Sequence, residues 1–235
     1  MRAIRTVFLL LPALVAAAPA QTPARPTAKE ALRPFNGLIG SWRGTGEPYG
    51  TRTERQKGFW EEKIDWQWQF KGKDAWLLAD VEKGKHFTRA ELRYLPAGNR
   101  YEMKLTTPTK ETLTFEGELK DKQLTLDRRD AGKGEDQRIV LSLLHANRYL
   151  LRYDTKPAGQ TAFAPRFRVG ATKEGVAFAG GDAGPECIVS GGKGTMQVSY
   201  KGKTYYVCCT GCRDEFKAEP EKYVQEFEAK KKKAK

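Results

Sequence analysis

All four cysteines of this 235-residue chain fall in one stretch near its end: Cys187, Cys208, Cys209 and Cys212. Thiolates are soft donors suited to Zn²⁺, Cu(I) and heavier ions, and a pair four positions apart can meet at one ion. Cys208 and Cys212 form such a pair, and Cys187 precedes them by about twenty residues. Gly211 is expected to let the backbone turn tightly there, and Arg213 to Phe216 read as the start of a helix. A helix N-terminus lowers a thiol pKa and favours the metal-binding form. Four cysteines in an exported chain can equally make two disulfides. One of the three pairings would join the neighbours Cys208 and Cys209 in a strained ring; the other two are feasible. Spacing alone leaves metal and disulfide both open.

The elements that must position these thiols are short. Gln197 to Tyr200 and Thr204 to Val207 should pair across the turn Lys201-Gly202-Lys203. Phe216, Tyr223, Val224 and Phe227 would then cover the hairpin as the apolar faces of two helices. Pro220 suits the first position of the second helix. So small a unit has little core, and a metal or a bridge is its natural staple.

The run Lys203 to Cys208, with Cys212 and the run Asp214 to Tyr223, resembles the YHS/TRASH family. That family's pattern is one cysteine, about twenty residues, then Cys-x-x-x-Cys and an acidic Phe-x-x-x-Pro-Glu-x-Tyr helix. The resemblance covers roughly residues 184–227. It implies a small treble-clef-like ββα module found with heavy-metal trafficking, resistance and sensing, holding a copper or zinc ion. Its three ligand positions fall on Cys187, Cys208 and Cys212, which favours metal over disulfide. Two departures stand out: the usual Cys-Gly-Met reads Cys187-Ile188-Val189, and Cys209 is extra, a fourth ligand or a redox partner.

Residues 1–20 read as a secretory signal peptide, with Arg2 and Arg5 before an apolar core and Ala18-Pro19-Ala20 as cleavage site. The apolar run is too short for a transmembrane span, and no second one follows. The chain is expected to be exported, periplasmic or extracellular. Residues 21–34 form a Pro/Thr/Ala-rich linker in which Thr27 to Leu32 can make a helical turn. Residues 35–176 are expected to be a β-barrel, 177–185 a Gly-rich hinge, 186–229 the cysteine module and 230–235 a lysine tail, the frayed end of a helix.

The formal net charge is +13. Removing Arg2 and Arg5 leaves +11, and setting aside the five lysines of the tail leaves +6 on the folded parts. Export and the interspersed acidic residues argue against a nucleic-acid partner. Protein partners are not specified.

Within 35–176 the pattern has period two. Ile64, Trp66, Trp68 and Phe70 share one face; so do Leu113 and Phe115; Ile139, Leu141 and Leu143; Tyr149, Leu151 and Tyr153; and Phe163, Phe167 and Val169. Turn signals stand at Lys71 to Lys73, Glu82 to Lys85, Pro96 to Asn99, Asp121-Lys122 and Ala131 to Gly134. Nine or ten short strands with almost no helix predict a mainly β fold, an up-and-down antiparallel barrel followed by the small module. The opening Leu38 to Gly46, with Gly40-Ser41-Trp42, resembles the first strand of the lipocalin/calycin superfamily, nearest its fatty-acid-binding-like and nitrobindin-like barrels. That resemblance implies an interior able to hold a small apolar ligand. Haem loses support, because Thr161 to Val176 contains no histidine.

The two histidines, His86 and His145, read as solvent- or backbone-bonded residues near turns. The tryptophans at 42, 60, 66, 68 and 76 are expected to fill the barrel rather than line a ligand cavity. No hydrolase, zinc-protease, P-loop or dinucleotide motif occurs, so no enzyme activity is expected. Three functions from different classes follow. One is binding, buffering or sensing of a soft metal ion by thiolates; another is carriage of a small apolar ligand in the barrel, with a disulfide-stapled module; the third is a purely structural or partner-binding envelope protein with two disulfides.

Overall fold

Ten strands of alternating inward and outward residues close into a ring. The computed structural model describes residues 25–129, 134–145, 147–175 and 184–233. The stretch expected to be a signal peptide, most of the expected hinge, the first residues of the turn at Ala131 and the last two of the lysine tail lie outside them.

A short helix, α1 (Ala28–Leu32), opens the fold, with Thr27 and Glu30 capping it reciprocally. A 3-10 helix (Arg33–Leu38) follows. The barrel strands are β1 (Gly40–Pro48), β2 (Trp60–Lys71), β3 (Asp74–Glu82), β4 (Arg89–Leu95) and β5 (Arg100–Thr106). They continue as β6 (Thr112–Lys120), β7 (Gln123–Arg128), β8 (Glu135–His145), β9 (Arg148–Pro157) and β10 (Ala164–Lys173). Each pairs antiparallel with its sequence neighbour, and β1 pairs with β10 to close the barrel. Helix α2 (Arg52–Gly58) spans β1 and β2 on the surface and buries no residue.

Most of the expected inward residues are buried, with Phe70, Leu143, Leu151 and Tyr153 partly so. Ile64, Trp66 and Trp68 are at most 5% exposed, and Phe115, Ile139 and Leu141 are fully buried. Phe163 departs from its row. A bulge between Pro165 and Phe167 inserts one extra residue, and everything before it changes face. Phe163 therefore lies outside β10, 3.9 Å beneath the Arg138 guanidinium. Trp76 also points outward, under Arg93, so it does not join the other tryptophans in the filling.

The residues before the barrel are built into it. Leu32, Phe35 and Leu38 are almost completely buried, and the Tyr101 hydroxyl donates to the Ala31 carbonyl. Their apolar side chains need cover that an extended linker would not give, so this part of the lead folds.

The C-terminal module is a hairpin, β11 (Met196–Tyr200) and β12 (Lys203–Val207), followed by α3 (Thr210–Ala218) and α4 (Pro220–Lys233). Lys201 and Gly202 both have positive φ, which gives the hairpin the tight turn that matches strand twist. Phe216 and Tyr223 are buried against the hairpin, with Val224 and Phe227 packed beside them. Pro220 opens α4 as its sequence position predicts. Helix α4 continues through Lys233, and Lys230 pairs with Glu186, so the lysines begin as ordered helix rather than as a frayed tail.

The module shares one core with the barrel. Pairing of β1 with β2 stops at Gly40 and Trp66, leaving the end of β2 without a strand on that side. Helix α3 lies there instead. No helix among the described residues is long and apolar enough to cross a membrane.

Candidate metal centre

The first turn of α3 brings the cysteines together. Cys208 ends the hairpin, Cys209 occupies the N-cap of α3, and Cys212 is its third residue. The helix begins at Thr210, three residues earlier than the sequence reading placed it, so Cys212 sits among the free amides of the first turn. Cys187 arrives from a loop that pairs with Tyr206 of β12, and the Cys187 amide donates to the Gly192 carbonyl at 2.7 Å.

The sulfurs of Cys187, Cys208 and Cys212 all lie within 4.8 Å of one another, with 3.5 Å between Cys208 and Cys212. Sulfurs bound tetrahedrally about 2.3 Å from one ion stand about 3.8 Å apart, so the spacing fits a shared ion. A disulfide requires about 2.05 Å, and all four cysteines are free thiols. Cys209 is different. Its sulfur lies 3.9 Å from Cys208 but outside the group of three, and it accepts the Trp68 backbone N–H at 3.4 Å. The structure thus turns the extra cysteine toward the barrel.

Ser190 supports the site from outside. Its N–H donates to the Cys187 sulfur at 3.4 Å, and its hydroxyl lies 3.4 Å from the Cys208 sulfur. Negative charge is shared unevenly among the bare thiols. Hydrogen bonds with Cys208 and Cys212 hold Cys187 far below the usual thiol range, and those with Cys208 and Cys212 do the same for Cys209. The partnership with Cys187 pushes Cys208 up, and burial pushes Cys212 up. Only Cys208 of the four is partly exposed.

Three residues tie this centre to the barrel. The Trp68 indole N–H donates to Asn36 at 3.0 Å, and the Asn36 amide donates to the Ser190 carbonyl at 3.1 Å. Thr210 donates to Gln67 at 2.6 Å. Gly211 has no positive φ; its role is close approach, since a Cβ there would lie 1.8 Å from the Trp68 carbonyl oxygen. The expected tight turn is therefore a helix pressed against a strand edge. Asn36 and Ser190 had no assigned role in the sequence reading, and their 154-residue separation leaves no local signal.

Residues 191–226 match the YHS domain. The matched span holds Cys208, Cys209 and Cys212, while Cys187 stands just before it. The YHS match and the three-thiol cluster together point to metal binding by this module. No curated protein matches the chain. The solved "Structure of EF1p2_mFAP2b bound to DFHBI" aligns with 60% of this chain and 98% of its own, at 11% identity and a TM-score of 0.22, a likeness too slight to bear on function.

Side chains fill much of the barrel interior. Its cavity measures about 40 Å³, bounded by Trp60, Trp66, Tyr149, Leu151 and Phe167 among others. That is room for a few waters at most and far below the roughly 300 Å³ of a typical small-molecule site. His86 faces this cavity, stacked 4.0 Å from Phe167, and burial lowers its pKa. It is thus part of the barrel packing rather than a solvent-bonded turn residue. His145 is exposed at the end of β8, as its position predicts.

Proposed function

We propose that this protein binds a soft metal ion, copper or zinc, through the thiolates of Cys187, Cys208 and Cys212, and that it buffers or senses the ion without enzymatic chemistry. The observation that carries this reading is three sulfurs within 4.8 Å of one another in a buried pocket of a YHS module. Sulfur donors favour soft and borderline ions over Mg²⁺ or Ca²⁺, which take oxygen. Three protein donors leave one position of a tetrahedral ion open on the Cys208 side, or none for a trigonal Cu(I). Cys209 acts as a packing and hydrogen-bonding residue. In this reading the barrel serves as the platform that holds the module. Export, to the periplasm or beyond, is part of the same proposal and rests on the first 20 residues.

Native mass spectrometry of the anaerobically purified protein, with and without chelator, tests the reading. A mass increment of one zinc or copper ion that chelator removes, leaving free thiols, supports it. A metal-free chain about four protons lighter than the reduced form sinks it and shows two disulfides.

A further inference from the structure

Cys208 is the one thiol of the cluster that is partly open to solvent. A cleft of about 870 Å³ separates the end of the barrel from the module, and Cys208 is the cysteine on its wall. Its size suits a small molecule rather than a folded partner. Among the described residues its wall carries Lys122, Arg148, Lys173, Lys193 and Lys230 against two carboxylates, Glu174 and Glu186. Both carboxylates already face cations: Glu186 pairs with Lys230, and Glu174 lies 3.8 Å from Arg43. A bare metal cation approaching Cys208 therefore meets a net positive field, whereas an anion is drawn in. The arrangement is the reverse of the acidic approach that a hydrated divalent ion would favour.

We propose that the cleft admits the metal as a small anionic complex, and that the thiolates then displace the carrier. This rests on the thiolate reading above. Cys208, the exposed thiol, makes the first bond while the carrier still holds the ion; Cys187 and Cys212 follow. Each sulfur that still carries a proton releases it to solvent as its bond to the metal forms, and each carrier–metal bond that breaks returns an anionic donor to solution.

The test is stopped-flow metal transfer to the reduced full-length chain. Cu(I) is supplied either as its anionic bathocuproine disulfonate complex or as its cationic acetonitrile complex. The recipients are the parent, a charge-reversed R148E/K193E variant and a neutral R148Q/K193Q variant, both altered only at exposed positions. Transfer from the anionic carrier should slow about tenfold in the charge-reversed variant and by less in the neutral one. It should also slow in the parent as salt rises. Transfer from the cationic carrier should not slow, and all three proteins should fill to the same final content. Rates that ignore both substitutions, or that shift equally for both carriers, overturn the cleft proposal alone. A parent that takes no Cu(I) from either carrier overturns the thiolate site itself.

Discussion

Replacing Gly211 with alanine sets two effects of opposite sign against each other. In a helix interior, alanine is favoured over glycine by about 1 kcal/mol. Gly211 lies in α3, so propensity alone predicts a more stable protein. The new Cβ, however, would sit 1.8 Å from the Trp68 carbonyl oxygen and 2.8 Å from its carbonyl carbon. Those are backbone atoms of a strand held by β3, and they cannot step aside as a flexible side chain would. Overpacking of this kind costs about 3 kcal/mol, the upper part of its usual range. If α3 retreats instead, it loses the Trp68 N–H to Cys209 contact and the Thr210 to Gln67 hydrogen bond, each worth about 1 kcal/mol. Net of the helix gain, the first route leaves Gly211→Ala destabilised by about 2 kcal/mol and the second by about 1 kcal/mol. For a chain of this size the melting temperature should fall by roughly 2–8 °C. Differential scanning fluorimetry of the full chain, metal-free and reduced, reads it directly. Gly202→Ala is the comparison: its φ is +74° and nothing lies within 4 Å, so it should lose only about 1 kcal/mol. A Gly211→Ala protein that melts at or above the parent temperature would refute the docking of α3 on β2.

Other outcomes follow from the same geometry. Cys208→Ser should lower metal affinity more than about 100-fold by removing a donor, whereas Cys209→Ser should lower it by less than about tenfold, as chelator competition would show. Metal at about 100 times its dissociation constant should stabilise the fold by about 2.7 kcal/mol, visible as a raised melting temperature that chelator reverses. Because protons compete for the thiolates, affinity should weaken as pH falls, and binding in weak buffer should acidify the solution. Glu62 points into the barrel, and burial raises its pKa above the ordinary 4.5 despite the Trp60 hydrogen bond. A carboxyl raised in the folded state binds more protons folded than unfolded, so its contribution to stability falls as pH rises from about 4.5. Glu62→Gln should therefore raise the melting temperature at pH 7, with the gain vanishing below about pH 4; a gain that is the same at both pH values would refute this.

Much of this fold is legible in local patterns. Alternation such as Ile64, Trp66, Trp68 names the inward face because one side of each strand must leave water, and the hairpin turn at Lys201-Gly202 follows from backbone sterics. The cysteine spacing pairs Cys208 with Cys212, and the YHS resemblance adds Cys187 to the cluster that the structure brings together. What the pattern could not show depends on long-range contact. Phe163 keeps the inward parity of its row until the Pro165/Phe167 bulge reverses it. His86 belongs to the barrel only because β10 brings Phe167 beside it. Cys209 looked like a spare ligand because neither its neighbours nor its spacing reveal that the unpaired edge of β2 offers it the Trp68 amide. Gly211 was expected to bend the chain, yet what it provides is thinness against another backbone.

The order in which the ring closes has a consequence for the thiols during folding. Strand β1 needs β10, and the module needs Trp68 and Asn36, contacts 141 and 154 residues distant in the chain. Pairings of such separation form slowly. The module therefore holds its four thiols uncovered until it docks on the closed barrel. In an oxidising compartment that interval is a race between docking and crosslinking, and early capture of the ion would decide it for the reduced form. Pulse alkylation during refolding would follow this race. Cys187 and Cys212 should become protected only after the tryptophan signal of the barrel has settled, and protection that comes first would place the module ahead of its platform.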